Sequence, residues 1–149
     1  MAVALTEEQT RALDAAEVVL ERSYSPYSRF AVGACLVADD GELVTGTNVE
    51  NAAYGSTICA ERTALVRANA EGRRAFRGIA IIGRGAEPAA EPKVTGPCGA
   101  CRQMLYEFAE LGDNDPWVVL STPGREQVEV TSVRALLPYG FGPANLTPP

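Results

Sequence analysis

The spacing of apolar residues changes twice within the first third of the chain. From Thr6 to about Arg22, the positions Leu13, Ala16, Val19 and Leu20, with Leu5 just before them, follow helical periodicity. This predicts a helix with one inward face. Thr6 is a good N-cap and Gln9 stands three residues on, the spacing of a capping box. Ser23 to Ser28, with Pro26 between two tyrosines, breaks the helix. Phe30 to Ala38 is then apolar with small residues, Asp39-Asp40-Gly41 reads as a turn, and Glu42 to Asn48 returns. A β-hairpin is expected there.

Val49 to Thr57 is polar and irregular. A second helix is expected from about Ile58 to Ala70, capped by Ser56 or Thr57 and ended near Gly72. Arg77 to Gly83 is nearly continuous in apolar residues, as in a strand buried on both faces. Gly85 to Pro97 reads as a loop, and a third helix follows from Cys98 to Leu111, with Pro97 at its start. Pro116 to Ser121 and Gln127 to Val130 read as strands, and Thr131 as the cap of a short helix to Leu137. The tail from Pro138 is rich in Pro and Gly. A hairpin combined with right-handed crossovers implies one mixed β-sheet between helices, a three-layer α/β/α sandwich. With no repeat or linker in view, the expected organisation is a single domain over 1–149.

Composition narrows the function. The chain is 46% apolar and 21% charged, the balance of an ordinary globular domain, and no apolar run approaches a membrane span. The first ten residues lack the basic start and apolar stretch of a leader, so the expected location is the cytoplasm. A net charge of −6 favours a small-molecule partner over nucleic acid, whose backbone needs a basic face. Histidine is absent altogether. That removes Ser-His and Cys-His nucleophilic sites and any imidazole-bound metal.

Four cysteines remain: Cys35, Cys59, Cys98 and Cys101. Cys98 and Cys101, two residues apart, sit on one helical turn, and Cys59 opens the preceding helix. If those helices lie side by side, three sulfurs converge at two helix N-termini, where free N–H groups and the helix dipole favour thiolate. Three thiolates hold Zn²⁺ and leave its fourth position open, the mark of a catalytic site. Glu61, two residues after Cys59, is then the natural proton carrier. Arg62 can donate to ligand sulfurs and offset their charge. Two other readings stand beside this one. Pro97-Cys98-Gly99-Ala100-Cys101 also looks like a redox dithiol opening a helix, and Cys35 is the one candidate fourth ligand of a structural zinc. A redox pair needs neither Cys59 nor Glu61, and Cys35 in mid-strand reads as a small buried hydrophobe.

Two stretches resemble the small cytidine deaminases of pyrimidine salvage, those with an all-cysteine zinc site. One runs from Thr47-Asn48-Val49-Glu50-Asn51-Ala52-Ala53-Tyr54-Gly55 into Thr57-Ile58-Cys59-Ala60-Glu61-Arg62-Thr63-Ala64. The other is Pro97-Cys98-Gly99-Ala100-Cys101-Arg102-Gln103. The similarity extends from Tyr24-Ser25-Pro26-Tyr27-Ser28 to Leu136-Leu137-Pro138. It implies hydrolytic deamination of cytidine or deoxycytidine with one Zn²⁺ per chain. Asn48 and Glu50 would hold ribose hydroxyls, Phe30 would contact the pyrimidine ring, Tyr54 would line the substrate pocket, and Ala60 would make a backbone contact to the base. It also implies a homotetramer in which Phe141, or its rival Tyr139, reaches over a neighbour's base. Blasticidin-S deaminase shares the three-cysteine pattern, but Asn48-Val49-Glu50-Asn51 favours the ordinary ribosyl pocket. Cys35 and Ser56 depart from residues common at those positions.

Overall fold

The computed structural model describes residues 3–146, so the ends of the chain, including the last three residues of the Pro/Gly-rich tail, lie outside it. Helix α1 (Glu7–Leu20) begins as the spacing predicts. The Thr6 side chain accepts from the Gln9 N–H while the Gln9 side chain accepts from the Thr6 N–H. Strands β1 (Ala31–Ala38) and β2 (Leu43–Thr47) form the hairpin. Then come α2 (Ala60–Ala70), β3 (Phe76–Arg84), α3 (Gly99–Gly112), β4 (Trp117–Ser121), β5 (Val128–Ser132), and two one-turn helices, α4 (Val133–Leu136) and α5 (Pro143–Leu146).

The five strands form one mixed sheet in the order β2-β1-β3-β4-β5. β1 runs antiparallel to both β2 and β3, β3 and β4 are parallel, and β5 is antiparallel to β4. Thus β2, β3 and β4 point the same way. The helices α2 and α3 are the crossovers between them, and each starts beyond a strand's carboxyl end.

Alternation along the strands sorts the core into two layers. Ala34, Leu36, Ile79, Ile81, Val118 and Leu120 face α2 and α3, burying Ala64, Leu65, Leu105 and Ala109. Cys35, Val37, Ala80, Ile82 and Val119 face the other way, onto Ala12, Leu13, Ala16 and Leu20 of α1. The expected three-layer sandwich is therefore the one observed. Each fully buried Leu, Ile or Val side chain contributes about 1.5–3 kcal/mol relative to exposure, against the ordering entropy of the chain.

Three local expectations change. Helix α2 starts two residues later than expected, with Cys59 rather than Ser56 or Thr57 at the cap. Residues Tyr54–Ser56 coil into a single 3₁₀ turn, and Val49 and Ile58 exchange backbone hydrogen bonds (2.9 and 3.0 Å), which keeps Ile58 extended. Ser132, not Thr131, caps α4, accepting from the Ala135 N–H at 3.2 Å. Helix α5 had no helical periodicity to announce it, and Asn145 Oδ1 caps its start by accepting from the Gly142 N–H.

One glycine sets the position of α2. A Cβ at Gly46 would lie 2.4 Å from the Ala64 nitrogen and 2.5 Å from the Ala60 oxygen, so the β2 backbone and the start of α2 are in direct contact.

Candidate metal centre and binding cavity

Cys59 and Cys98 are the N-cap residues of α2 and α3, both extended in backbone and neither using its side chain as a cap. Their thiols are left free to point outward from the helix starts. Cys101 lies in the first turn of α3 and is fully buried. The sulfurs of Cys59 and Cys98 are 3.7 Å apart, those of Cys98 and Cys101 3.4 Å, and all three lie within 4.8 Å of one another.

A tetrahedral zinc with Zn–S bonds of about 2.3 Å requires sulfurs roughly 3.8 Å apart. The donor set and its spacing fit one Zn²⁺ per chain. Among the described residues, this is the one cluster of three or more potential ligands. Cys35 is not in it. It sits wholly buried in the α1 layer, where burial pushes its thiol up to about 11. A structural four-cysteine site is excluded by that placement.

Electrostatics favour a thiolate at Cys59, whose pKa falls to about 5. Hydrogen bonding from Cys101 is the largest cause, with the Arg62 guanidinium and Cys98 adding to it against the cost of burial. Cys101 shifts the other way, because it donates to Cys59 and lies buried beside Glu61. Arg62 Nη2 stands 3.7 Å from the Cys59 sulfur and also donates to the Thr57 carbonyl at 3.3 Å. Glu61 is only 3% exposed, with Oε2 3.5 Å from the Cys101 sulfur. Burial raises its carboxyl pKa, and the Cys59 charge adds to the rise. A carboxyl so placed holds a proton more readily than an exposed one, which suits a group that must both take and give a proton.

A cavity of about 690 Å³ opens from this cluster. Phe30, Asn48, Glu50, Tyr54, Cys59, Ala60, Glu61 and Cys98 all line it, as do Tyr27, Ser28 and Thr95. The first turns of α2 and α3 begin hydrogen bonding only at the Thr63 and Arg102 N–H groups, so the amides just before them, Ala60 included, lack helical acceptors. Tyr27 and Tyr54 meet edge to face at 5.6 Å on its rim.

The end of the cavity away from the sulfurs is tightly hydrogen bonded. Asn48 Oδ1 accepts from the Val32 N–H at 2.9 Å and from the Ser23 hydroxyl at 2.5 Å, while Nδ2 donates to the Phe30 carbonyl at 2.8 Å. The Glu50 carboxylate accepts from the N–H groups of Tyr27 (3.0 Å) and Ser28 (3.1 Å) and from the Ser28 hydroxyl. These contacts, the Ser28 hydroxyl first among them, hold Glu50 below the usual carboxylate range.

The structure thus brings together every expected site residue except one. Phe141 is half exposed and absent from the cavity wall, as is the fully exposed Tyr139. The Phe141 carbonyl accepts from Gln103 Nε2 at 2.7 Å, which ties that segment to α3. Sequence reasoning missed Ser23, Ser28 and Thr95. The two serines lay in a segment readable only as a helix-breaking turn, and their partners are 20 or more residues away.

Residues 6–111 match the model of the cytidine and deoxycytidylate deaminase zinc-binding region. The chain is 46% identical over 121 residues to a cytidine deaminase of Halalkalibacterium halodurans, covering 81% of this chain and 84% of that one. It is 41% identical over 140 residues to a probable cytidine deaminase of Dictyostelium discoideum, covering 94% and 88%. Among solved structures, cytidine deaminase from Burkholderia pseudomallei superposes with a TM-score of 0.76 at 44% identity, covering 92% of this chain and all of that one.

Proposed function

The chain belongs to the cytidine and deoxycytidylate deaminase zinc-binding family, and on that premise we propose that it deaminates cytidine and 2′-deoxycytidine to uridine and 2′-deoxyuridine, releasing ammonia in pyrimidine salvage. The observation that carries this reading is a buried Glu61 3.5 Å from the sulfur of a three-cysteine cluster, at the floor of a cavity large enough for a nucleoside.

Cys59, Cys98 and Cys101 would hold the zinc ion, which when bound acidifies water and so supplies the nucleophile. Glu61 takes a proton from the attacking water and delivers it to N3 of the pyrimidine while the water oxygen bonds to C4. The C4–N4 bond then breaks, and Glu61 carries the second proton to the leaving nitrogen, which departs as ammonia. The raised pKa of Glu61 suits a group that must be base and acid in one cycle. Ala60, with its N–H free at the start of α2, would donate to the base carbonyl. Arg62, against the Cys59 sulfur, would offset the excess negative charge of three thiolates.

Asn48 and Glu50 would bind the sugar, with Phe30 and Tyr54 forming apolar walls. Both lone pairs of Asn48 Oδ1 and one Nδ2 hydrogen are used internally, leaving one N–H to donate outward. Glu50, kept ionised, can only accept, so it selects a hydroxyl donor. A free nucleoside in an acidic protein is the consistent partner, rather than a nucleic acid.

The whole chain, 1–149, would act as one domain, since both core layers share one sheet. A homotetramer in the cytoplasm is the assembly proposed. Its support is a set of exposed aromatics, Tyr27, Tyr54, Tyr139 and Phe141, at or beyond the cavity rim. Phe141 would complete a neighbour's cavity. Described helices include none long and apolar enough to cross a membrane.

The test is direct. Purified protein incubated with cytidine and with deoxycytidine should lose cytosine absorbance and release ammonia, with one zinc per chain by metal analysis. Stable substrate absorbance in zinc-loaded protein would overturn the proposal.

A further inference from the structure

Glu50 and Phe30 belong to different parts of the chain, and one hydroxyl joins them. The Ser28 oxygen accepts from the Phe30 N–H at 3.0 Å, while its hydrogen goes to Glu50 Oε1. On its other side, the Phe30 peptide is held by Asn48, whose Nδ2 donates to the Phe30 carbonyl. A continuous set of hydrogen bonds therefore runs Glu50–Ser28–Phe30–Asn48–Ser23. None of these five residues takes part in the metal chemistry, yet four of them, Glu50, Ser28, Phe30 and Asn48, line the cavity.

We propose that Ser28 is a positioning residue for substrate binding: its hydroxyl fixes the Glu50 carboxylate relative to the Phe30 wall, so that sugar and base are gripped at a set separation. The inference rests on the reading of Glu50 as a sugar contact. Two facts separate this from a general structural role. Ser28 is exposed at the cavity wall rather than part of the core. The turn that carries it is also held without its side chain, by the Arg29 N–H donating to the Ser25 carbonyl at 3.0 Å and by the Tyr27 and Ser28 N–H groups on Glu50.

Losing the hydroxyl leaves the fold in place, strips one donor from Glu50 and leaves the Phe30 N–H without its acceptor. Glu50 keeps the Tyr27 and Ser28 N–H groups but loses the hydroxyl that fixes Oε1 against the Phe30 peptide, so a ligand hydroxyl meets a less preorganised acceptor. The reacting atoms are untouched, so the effect falls on binding rather than turnover.

The experiment compares Ser28→Ala, Ser28→Thr and Glu50→Gln with the unaltered zinc enzyme. It measures kcat and KM for cytidine, and inhibition constants for uridine and for 2′,3′-dideoxyuridine, which keeps the 5′ hydroxyl but lacks the 2′ and 3′ hydroxyls assigned to Glu50. Ser28→Ala should raise KM for cytidine about tenfold with kcat within about threefold, the pattern of lost uniform binding. It should weaken uridine about tenfold and dideoxyuridine by less than about threefold, and Ser28→Thr should restore uridine binding to within about threefold. Equal weakening of both inhibitors, or no weakening of uridine, would overturn the proposal. If Glu50→Gln weakens uridine selectively and Ser28→Ala does not, Ser28 alone is wrong. If Glu50→Gln fails to discriminate the two inhibitors, the sugar reading falls, and the role of Ser28 falls with it.

Discussion

The two ends of the cavity are built on opposite principles. At the sulfur end, two helix starts bring Cys59, Cys98 and Cys101 within 4.8 Å of one another, a set of thiols that leans on itself, Arg62 and Glu61 and whose spacing fits a cation. At the opposite end, Asn48 and Glu50 are already satisfied by a turn and a strand edge. The first end is electrostatically incomplete until metal binds, whereas the second is organised before anything enters. The difference teaches where each kind of specificity originates: reactivity is imported with the ion, and shape is folded into the polypeptide.

The largest effect that would sharpen this contrast comes from Glu61. Glu61→Gln should lower kcat for cytidine by about 10²–10⁴-fold while metal analysis still finds zinc, because the proposed proton carrier is lost and the sulfurs are not. Substantial activity in that variant would break the division of labour. Next, Asn48→Ala should cost about 1–3 kcal/mol in binding, read as a higher KM with zinc content unchanged, because the outward N–H is lost and the Phe30 carbonyl it holds is released. Zinc loss in Asn48→Ala would mean the two ends are not separable. Smaller still, Arg62→Ala should weaken zinc affinity about 10–100-fold in a chelator competition, leaving uridine binding in the zinc-loaded form nearly unchanged.

The pH behaviour of metal-free protein probes the incomplete end alone. Alkylation of Cys59 by iodoacetamide should persist down to a midpoint near pH 5, while Cys35, buried and pushed up to about 11, should stay unmodified in the folded state. A Cys59 midpoint close to that of an ordinary thiol would contradict the assigned charge. The linkage has a definite sign. Cys59 is lowered on folding, so its contribution to metal-free stability is complete above the ordinary thiol range and is lost as pH falls toward about 5. Glu61 opposes this. Its carboxyl is raised on folding, so its contribution declines as pH rises above the ordinary carboxylate range.

What the sequence made legible follows the range of the interactions. The capping box of Thr6 and Gln9 is local, and it was readable in full. The three cysteines and Glu61 were readable because helix starts, once recognised, dictate where their side chains point. The start of α2 lies two residues beyond its expected position, since the Val49–Ile58 pairing that delays the helix is a tertiary contact. The same explains Ser23 and Ser28: a hydroxyl in a turn carries no mark of a partner 22 or 25 residues away. Phe141 stands apart, because an aromatic absent from its own cavity wall has a role only if another subunit supplies the context.

Gly46 carries a consequence for how this protein can drift in sequence. It offers no functional group, and it lies on the edge strand farthest from β5. Yet a single methyl there would meet the backbone of the helix whose first turn carries Glu61 and whose cap is Cys59. The mutational tolerance of the cavity floor is thus limited from beneath as well as from within. A screen that scored only loss of activity would rank an inert glycine on a remote strand beside the metal ligands themselves.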